Sequence, residues 1–271
     1  MSDRYSRNES LFGLDGQRAI AETRVAVVGM GGLGSHVVQQ LAYLGTEDFA
    51  LADDDHVTTS SMNRLVTADD SDVAAETAKV EAARRRIHAI NPGAKVRVYD
   101  ATLDVAADEL LQGVDIVFGC VDNDLTRLAL TRHCAKRALP LFDAATDVDT
   151  EATPMTFGGR VVCCTGNGCL VCLDVLDQKA LARAAQTPEQ ARADEAIYGV
   201  RRTALGTSGP MVVSINGTVA SLAVTEFIAL VTGLRPVTRY QTYYGHSSRI
   251  MTSRDEAIPD CYYCDGLWRR S

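Results

Sequence analysis

The sequence predicts an α/β chain built on a doubly wound, mostly parallel sheet. Three observations carry that prediction. Short β-rich apolar runs alternate with helical segments from residue 25 to about residue 143. A glycine loop, Gly29-Met30-Gly31-Gly32-Leu33-Gly34, directly follows the first run, Val25-Ala26-Val27-Val28. An acid, Asp53, stands nineteen residues beyond the last glycine, just after the second run, Phe49-Ala50-Leu51-Ala52.

Taken in order, the first run is a strand, and a helix is predicted from about Gly34 to Gly45, giving βαβ with the second run. A helix around Lys79–Ile90 is stopped by Asn91-Pro92-Gly93. A strand at Val96–Tyr99, a short helix near Val105–Leu111 and a strand at Asp115–Gly119 come next, then a helix at about Leu125–Ala138 and a strand at Leu139–Asp143. The second half changes character. Phe157–Cys164 reads as a strand followed by a Gly/Asn/Cys-rich turn, and the polar stretch between Asp177 and Gly209 reads as a helix or a crossover loop. A longer helix from about Val213 to Leu230 and a β-like segment at Thr238–Tyr244 complete the pattern. The expected organisation is an N-terminal arm (1–24), a nucleotide-binding half (25–150) and a C-terminal half (151–271).

Composition narrows the function classes. With 271 residues, 46% of them hydrophobic, the chain has enough apolar surface for a large core. A net charge of −8 argues against nonspecific binding to nucleic acid or to an anionic membrane. The N-terminus has no apolar core of the signal-peptide kind, and the apolar stretch from Val219 to Val231 is interrupted by Glu226, so the reading is a cytoplasmic protein. The one basic cluster, Arg84-Arg85-Arg86, fans out around a helix and reads as a solvated face. His36 and His133 lack ligand sets nearby and read as structural.

The glycine loop is a nucleotide site, because glycines let the backbone approach phosphate and the following helix aims its free N–H groups and positive dipole end at the anion. On its own it fits a dinucleotide, with Asp53 on a ribose. Arg64 and Lys79, following the second strand, and Asp122-Asn123, following the fourth, point elsewhere. Two cations and a carboxylate at strand ends suit a triphosphate with magnesium: the cations neutralise phosphate and a departing pyrophosphate, and the carboxylate holds the metal.

Together the residues Tyr5-Ser6-Arg7, the glycine loop, Asp53-Asp54-Asp55, Ser60-Ser61-Met62-Asn63-Arg64, Lys79, Cys120-Val121-Asp122-Asn123 and two Cys-x-x-Cys pairs resemble the MoeB/ThiF (HesA) family, which includes the adenylation domains of ubiquitin-activating enzymes. The resemblance runs from about Tyr5 to Cys264. It implies a Rossmann-like adenylation domain that uses ATP to activate the C-terminal carboxylate of a small ubiquitin-like or sulfur-carrier protein ending in Gly-Gly. Carried over, Gly29, Gly31, Gly32 and Gly34 approach the phosphates and Asp53 takes the ribose. Ser60, Ser61 and Asn63 line the nucleotide site, Arg64 and Lys79 bind phosphate, and Asp122 binds Mg2+ with Asn123 beside it. Asp55 orients Arg64 or Lys79, or is solvated. Arg7 resembles the arginine that reaches the γ-phosphate of the neighbouring subunit, which implies a homodimer. The sequence departs from the family pattern at Ser61, where asparagine is common, at Leu65, where glutamine is common, and in a slightly longer segment between Arg64 and Lys79.

Eight cysteines without an export signal argue against a disulfide framework. Cys169-x-x-Cys172 and Cys261-x-x-Cys264 have the spacing by which two thiolate pairs grip one tetrahedral zinc, pinning the C-terminal tail to the loop after the central strand. Cys120 and Cys134 read as small buried hydrophobes, and Cys163 and Cys164 adjoin the zinc loop. The stretch from Asp174 to Asp260 contains no cysteine, which favours an enzyme that adenylates only. The alternatives are a family member that also forms a thioester and hands its protein to a conjugating enzyme, one that activates a peptide or another small carboxylate, a non-catalytic nucleotide-binding scaffold, and a dehydrogenase.

Overall fold

The computed structural model describes residues 3–177, 181–182, 210–253 and 257–270. Apart from Asp177 and residues 181 and 182, the polar stretch read as a helix or crossover loop lies outside the described residues.

Eight strands form one sheet in the order β3-β2-β1-β4-β5-β6-β7-β8. The first five, β1 (Arg24–Val28), β2 (Asp48–Ala52), β3 (Lys95–Tyr99), β4 (Ile116–Gly119) and β5 (Leu141–Asp149), pair in parallel. The last three, β6 (Thr156–Cys164), β7 (Tyr240–Tyr244) and β8 (Arg249–Thr252), extend the sheet antiparallel. This is the predicted α/β class with a doubly wound parallel core. Seven helices accompany it: α1 (Ser6–Glu22), α2 (Gly32–Leu44), α3 (Asp70–Ala74), α4 (Lys79–Ile90), α5 (Leu103–Leu110), α6 (Asp124–Ala135) and α7 (Val213–Thr232) among the described residues.

Both faces of the sheet are covered, which explains why its strands read as unbroken apolar runs. Val25, Val27, Phe49, Leu51, Ile116, Phe118, Phe142 and Val161 pack into one core with residues of α2, α4 and α7. The alternate residues Ala26, Val28, Ala50, Ala52, Val117, Leu141 and Val162 pack into a second core with α5, α6 and the cysteine region. Phe118 stacks on Phe142 at 5.3 Å between ring centroids and meets Phe227 of α7 at 5.9 Å. By length and composition α7 could cross a membrane, but its Val219, Ala220, Ala223, Val224 and Phe227 are buried on the sheet. The acid that interrupts it, Glu226, is buried and paired with Arg235 at 2.6 Å, and it also accepts from the backbone N–H of Thr238 and from Gln241.

Three elements differ from the expectation. The arm at residues 1–24 contains α1, kinked at Gly13; only Gly16, Gln17 and Ile20 of it are buried, so it shows no clear apolar stripe. β5 runs on to Asp149 because its polar extension pairs antiparallel with β6, from Leu141 opposite Cys164 to Asp149 opposite Thr156. β8 is an exposed edge strand, with neither face buried, and hence has no alternation to read.

The topology places a crevice. From β1 the chain moves outward to β2 and β3, then returns to β4 on the other side of β1. The loops leaving the carboxyl ends of β1 and β4 therefore diverge, and doubly wound sheets bind ligands at that divergence. Gly29 leaves β1 there and Cys120 leaves β4.

Candidate functional site

The glycine loop is wedged against the loop after β4. Gly29 has φ +90°, its N–H donates to the Ala52 carbonyl at 2.8 Å, and a Cβ on it would stand 2.6 Å from the Cys120 carbonyl oxygen. A Cβ on Gly34 would lie 1.8 Å from the Gly29 oxygen, and one on Gly32 would lie 2.0 Å from Asn216 Nδ2. Gly31 alone among the four has nothing within 4 Å of the corresponding position. Three glycines are therefore demanded by packing, and Gly31, the N-cap of α2, keeps the approach to the helix end open.

Asp53 organises this loop. Its Oδ2 accepts the Met30 N–H at 2.6 Å and its Oδ1 accepts the Asp55 N–H at 2.9 Å. Lys79, at the start of α4, places Nζ 3.8 Å from Asp53 and 2.5 Å from Asp55. Its backbone is fixed as well, since the Lys79 N–H donates to the Asp55 carbonyl. Asp55 is thus paired with Lys79 while its carboxylate stays exposed to solvent. Burial pushes the Asp53 carboxyl above its ordinary value, against the Lys79 charge and the two N–H donors that pull it down.

Arg64 follows a short 3-10 turn, Thr59–Ser61. Its Nη1 donates to the Ser60 carbonyl at 2.6 Å and to Asn63 Oδ1 at 3.1 Å, and its Cδ lies 3.4 Å from where a Gly32 Cβ would stand. Arg64 thus borders the glycine loop. Ser60 Oγ meets Thr58 Oγ1, and Asn63 Nδ2 donates to the Met211 carbonyl. Ser61 is buried, and its hydroxyl both donates to the Thr58 carbonyl and accepts the Thr58 N–H, so it closes the turn that carries Arg64.

Asp122 is exposed, and among the described residues its side chain accepts a hydrogen bond from Asn123 Nδ2 at 3.4 Å. Asn123 is the N-cap of α6, accepting the Thr126 N–H at 2.9 Å. Arg7 is exposed on α1, and no hydrogen bond or ion pair joins it to the site among the described residues. The structure therefore clusters the glycine loop, Asp53, Asp55, Lys79 and Arg64, places Asp122 on the adjoining loop, and leaves Arg7 apart.

Sequence reasoning missed the support beneath that loop. Arg127 of α6 is buried against Asp143 of β5, with Nη1 at 2.6 and 2.7 Å from the two carboxylate oxygens. It also donates to the Val121 carbonyl, the residue before Asp122, and so fixes the loop after β4. Asn216, in the first turn of α7, was missed too. Ser214, Gly217 and Thr218 stand around it, so nothing along the chain sets it apart.

The four cysteines of the two Cys-x-x-Cys pairs are buried, with all Sγ atoms within 4.8 Å of one another. Three Sγ separations are 3.7, 3.7 and 3.9 Å. A tetrahedral zinc with Zn–S of about 2.3 Å requires sulfurs ~3.8 Å apart, so the thiols fit the ion. Bound there, zinc would be held by four thiolates with no open position, which is a structural role.

A family model described as the ThiF family matches residues 5–262. The chain belongs to the ThiF family. Among its relatives, the sulfur carrier protein ThiS adenylyltransferase of Escherichia coli (strain K12) is 28% identical over 270 residues, covering 97% of this chain and 95% of the relative. The SAMP-activating enzyme E1 of Haloferax volcanii is 36% identical over 146 residues, 53% of each chain. The molybdopterin-synthase adenylyltransferase of Salmonella typhimurium is 35% identical over 164 residues, covering 59% of this chain and 65% of that one. These last two matches thus span about half to two thirds of the relatives' length. In fold, the chain matches the crystal structure of E. coli MccB with ATP at a TM-score of 0.74 and 18% identity, covering 97% of this chain and 75% of MccB.

Within this ThiF-family chain all eight cysteines are buried. Burial pushes the Cys120 thiol up to about 12 and raises Cys134, Cys163 and Cys164 as well. None of these four is a ready nucleophile in the folded protein.

Proposed function

We propose that this chain adenylates the C-terminal carboxylate of a small ubiquitin-like or sulfur-carrier protein ending in Gly-Gly. A carboxylate oxygen of the carrier attacks the α-phosphorus of ATP. A P–O bond forms, the bond from the α-phosphorus to the bridging oxygen breaks, and pyrophosphate leaves with the electron pair. No protein base is needed, because the carboxylate is already ionised near neutral pH. Catalysis then rests on alignment and charge stabilisation.

The observation that carries this reading is the convergence of Lys79, Arg64 and the open N-terminus of α2 on the crevice between β1 and β4. In this reading Lys79 and Arg64 hold phosphate oxygens and Asp53 holds the ribose hydroxyls. Asp122 has no cationic partner among the described residues, so its carboxylate is free to ligate Mg2+, which would neutralise charge on the phosphates. Arg7, exposed and without an ion-pair partner among the described residues, is available to the second subunit of a homodimer. The burial of every cysteine supports adenylation without a thioester step.

The test is ATP–pyrophosphate exchange with a small carrier protein ending in Gly-Gly. Exchange is expected from the wild type and is expected to fall by about a hundredfold or more in Asp122→Ala, the scale on which removal of one charge-stabilising group acts. Exchange at the wild-type rate in Asp122→Ala would remove the magnesium assignment. No exchange by the wild type with any such carrier would remove the reading.

A further inference from the structure

We propose that Asn216 is a nucleotide-binding residue whose Nδ2–H donates to an oxygen of the α-phosphoryl group of ATP. The inference rests on the adenylation reading above. Asn216 is 1% exposed, and its Nδ2 has no hydrogen-bond partner among the described residues. A buried amide donor left unbonded is costly, and folded proteins rarely retain one without a use. The rest of the side chain is held firmly: Oδ1 accepts from Thr146 Oγ1 at 3.1 Å, and the backbone N–H bonds to the Val212 carbonyl at 3.1 Å. In this arrangement the Nδ2 end of the amide is the one turned towards Gly32.

That end faces the phosphate-binding turn. Nδ2 stands 2.0 Å from where a Cβ on Gly32 would sit, and Arg64 Cδ is 3.4 Å from the same point. Asn216 Nδ2 and Arg64 thus flank Gly32 in the first turn of α2, with α7 on one side and the glycine loop on the other. The requirement is mutual, because any side chain at residue 32 would displace the amide. An α-phosphoryl oxygen bound at this turn would meet backbone N–H groups of α2, the guanidinium of Arg64 and the neutral donor of Asn216. Amide donation holds a non-bridging oxygen in place without adding charge, leaving neutralisation to Arg64 and Lys79 and the α-phosphorus open to attack.

The test compares the wild-type chain with Asn216→Leu, Asn216→Asp and Thr146→Val, measuring the melting temperature without nucleotide and the affinity for ATP with magnesium by titration calorimetry. Asn216→Leu is close in shape and deletes the orphan donor. Its melting temperature without nucleotide is expected to be no lower than that of the wild type, while ATP binding weakens about tenfold to a hundredfold, the worth of a hydrogen bond to a charged group. Asn216→Asp, which keeps the acceptor for Thr146, is expected to lose ATP binding at least as severely. Thr146→Val keeps the donor but frees its orientation, and a smaller loss is expected. Wild-type ATP affinity in both Asn216 variants would overturn the inference and leave the adenylation reading standing. A lowered melting temperature with unchanged ATP affinity would show a structural asparagine and overturn it equally. Failure of the wild type to bind ATP would remove both.

Discussion

Loss of the zinc ligands should destabilise the whole chain by an amount set by its topology. Each Cys-x-x-Cys pair is local, but the pairs are joined across 92 residues. The folded chain holds all four thiols together, whereas an unfolded chain must close that loop to offer the same ligand set. Closing a loop of that length costs about 4.6 kcal/mol in the chain-entropy treatment. The folded state therefore binds zinc more tightly than the unfolded state by at least that amount, and by linkage the difference is stability. For 271 residues the unfolding entropy is roughly 0.57 kcal/mol per degree, so the midpoint should fall by ~8 °C. The assay is thermal unfolding of the wild type, of Cys264→Ser, and of protein dialysed against a strong chelator, with metal content measured on each. Trp268, the chain's one tryptophan, lines the same small cavity as Cys169 and Cys264, so its fluorescence reports the knuckle directly. Metal content well below one zinc per chain, or a midpoint moved by less than about 2 °C in Cys264→Ser, would refute the reasoning.

The glycine loop offers a contrast between two substitutions. Gly34→Ala puts a methyl carbon 1.8 Å from a backbone oxygen and should destabilise the fold by about 1–3 kcal/mol in denaturant titration, whereas Gly31→Ala should leave stability unchanged and weaken ATP binding. Deleting one partner of the buried pair, as in Asp143→Ala, should cost about 3–5 kcal/mol, and the double variant Arg127→Met/Asp143→Leu should recover much of it, measured in the same way. Asp72 is held at about 2, below its ordinary value of 3.8, chiefly by its hydrogen bond from Arg85. Its folded value is depressed, so the stability it contributes is present above pH 3.8 and is lost as the pH falls towards about 2. Because Arg85 is half exposed the contribution is at most ~2 kcal/mol, so Asp72→Asn should lower the midpoint near neutral pH by an amount that shrinks and disappears as the pH falls through about 2.

The parallel half was legible because its strands are buried on both faces, so Val25–Val28 and Phe49–Ala52 stand out as apolar runs, and because glycine and proline mark the turns between them. The extension of β5 was not, since Thr146, Asp147 and Asp149 are polar and form a strand only through pairing with β6. Tertiary context decided there, as it did for edge strand β8. At the site, Asp53 could be named from its offset beyond the glycine loop, and Arg64 and Lys79 as cations following β2 in an order that resembles the ThiF pattern. Arg127 with Asp143, and Thr146 with Asn216, are pairs separated by 16 and 70 residues. Neither member shows a pattern along the chain, and their importance appears only when burial forces each polar group to find the other.

The same view clarifies Asp53, which its position alone assigns to a ribose. Both its oxygens already accept backbone N–H groups, from Met30 in the glycine loop and from Asp55. An ionised carboxylate offers about four lone-pair sites, so two remain for a diol. Asp53 therefore shapes the loop before it can bind anything, and a ribose would occupy acceptor capacity that the loop leaves over. Burial works against the ionised form, and Lys79 at 3.8 Å works for it. Lys79 is committed more closely to Asp55, at 2.5 Å, and that acid is exposed. A phosphate arriving at Lys79 would compete with Asp55 for the ammonium group in contact with solvent, while leaving the buried Asp53 its more distant share of the charge. In the proposed reading the arrangement would separate the cation's two tasks: it favours the ionised form of the acid inside the loop, and it would exchange one surface carboxylate for a ligand phosphate at little cost in desolvation.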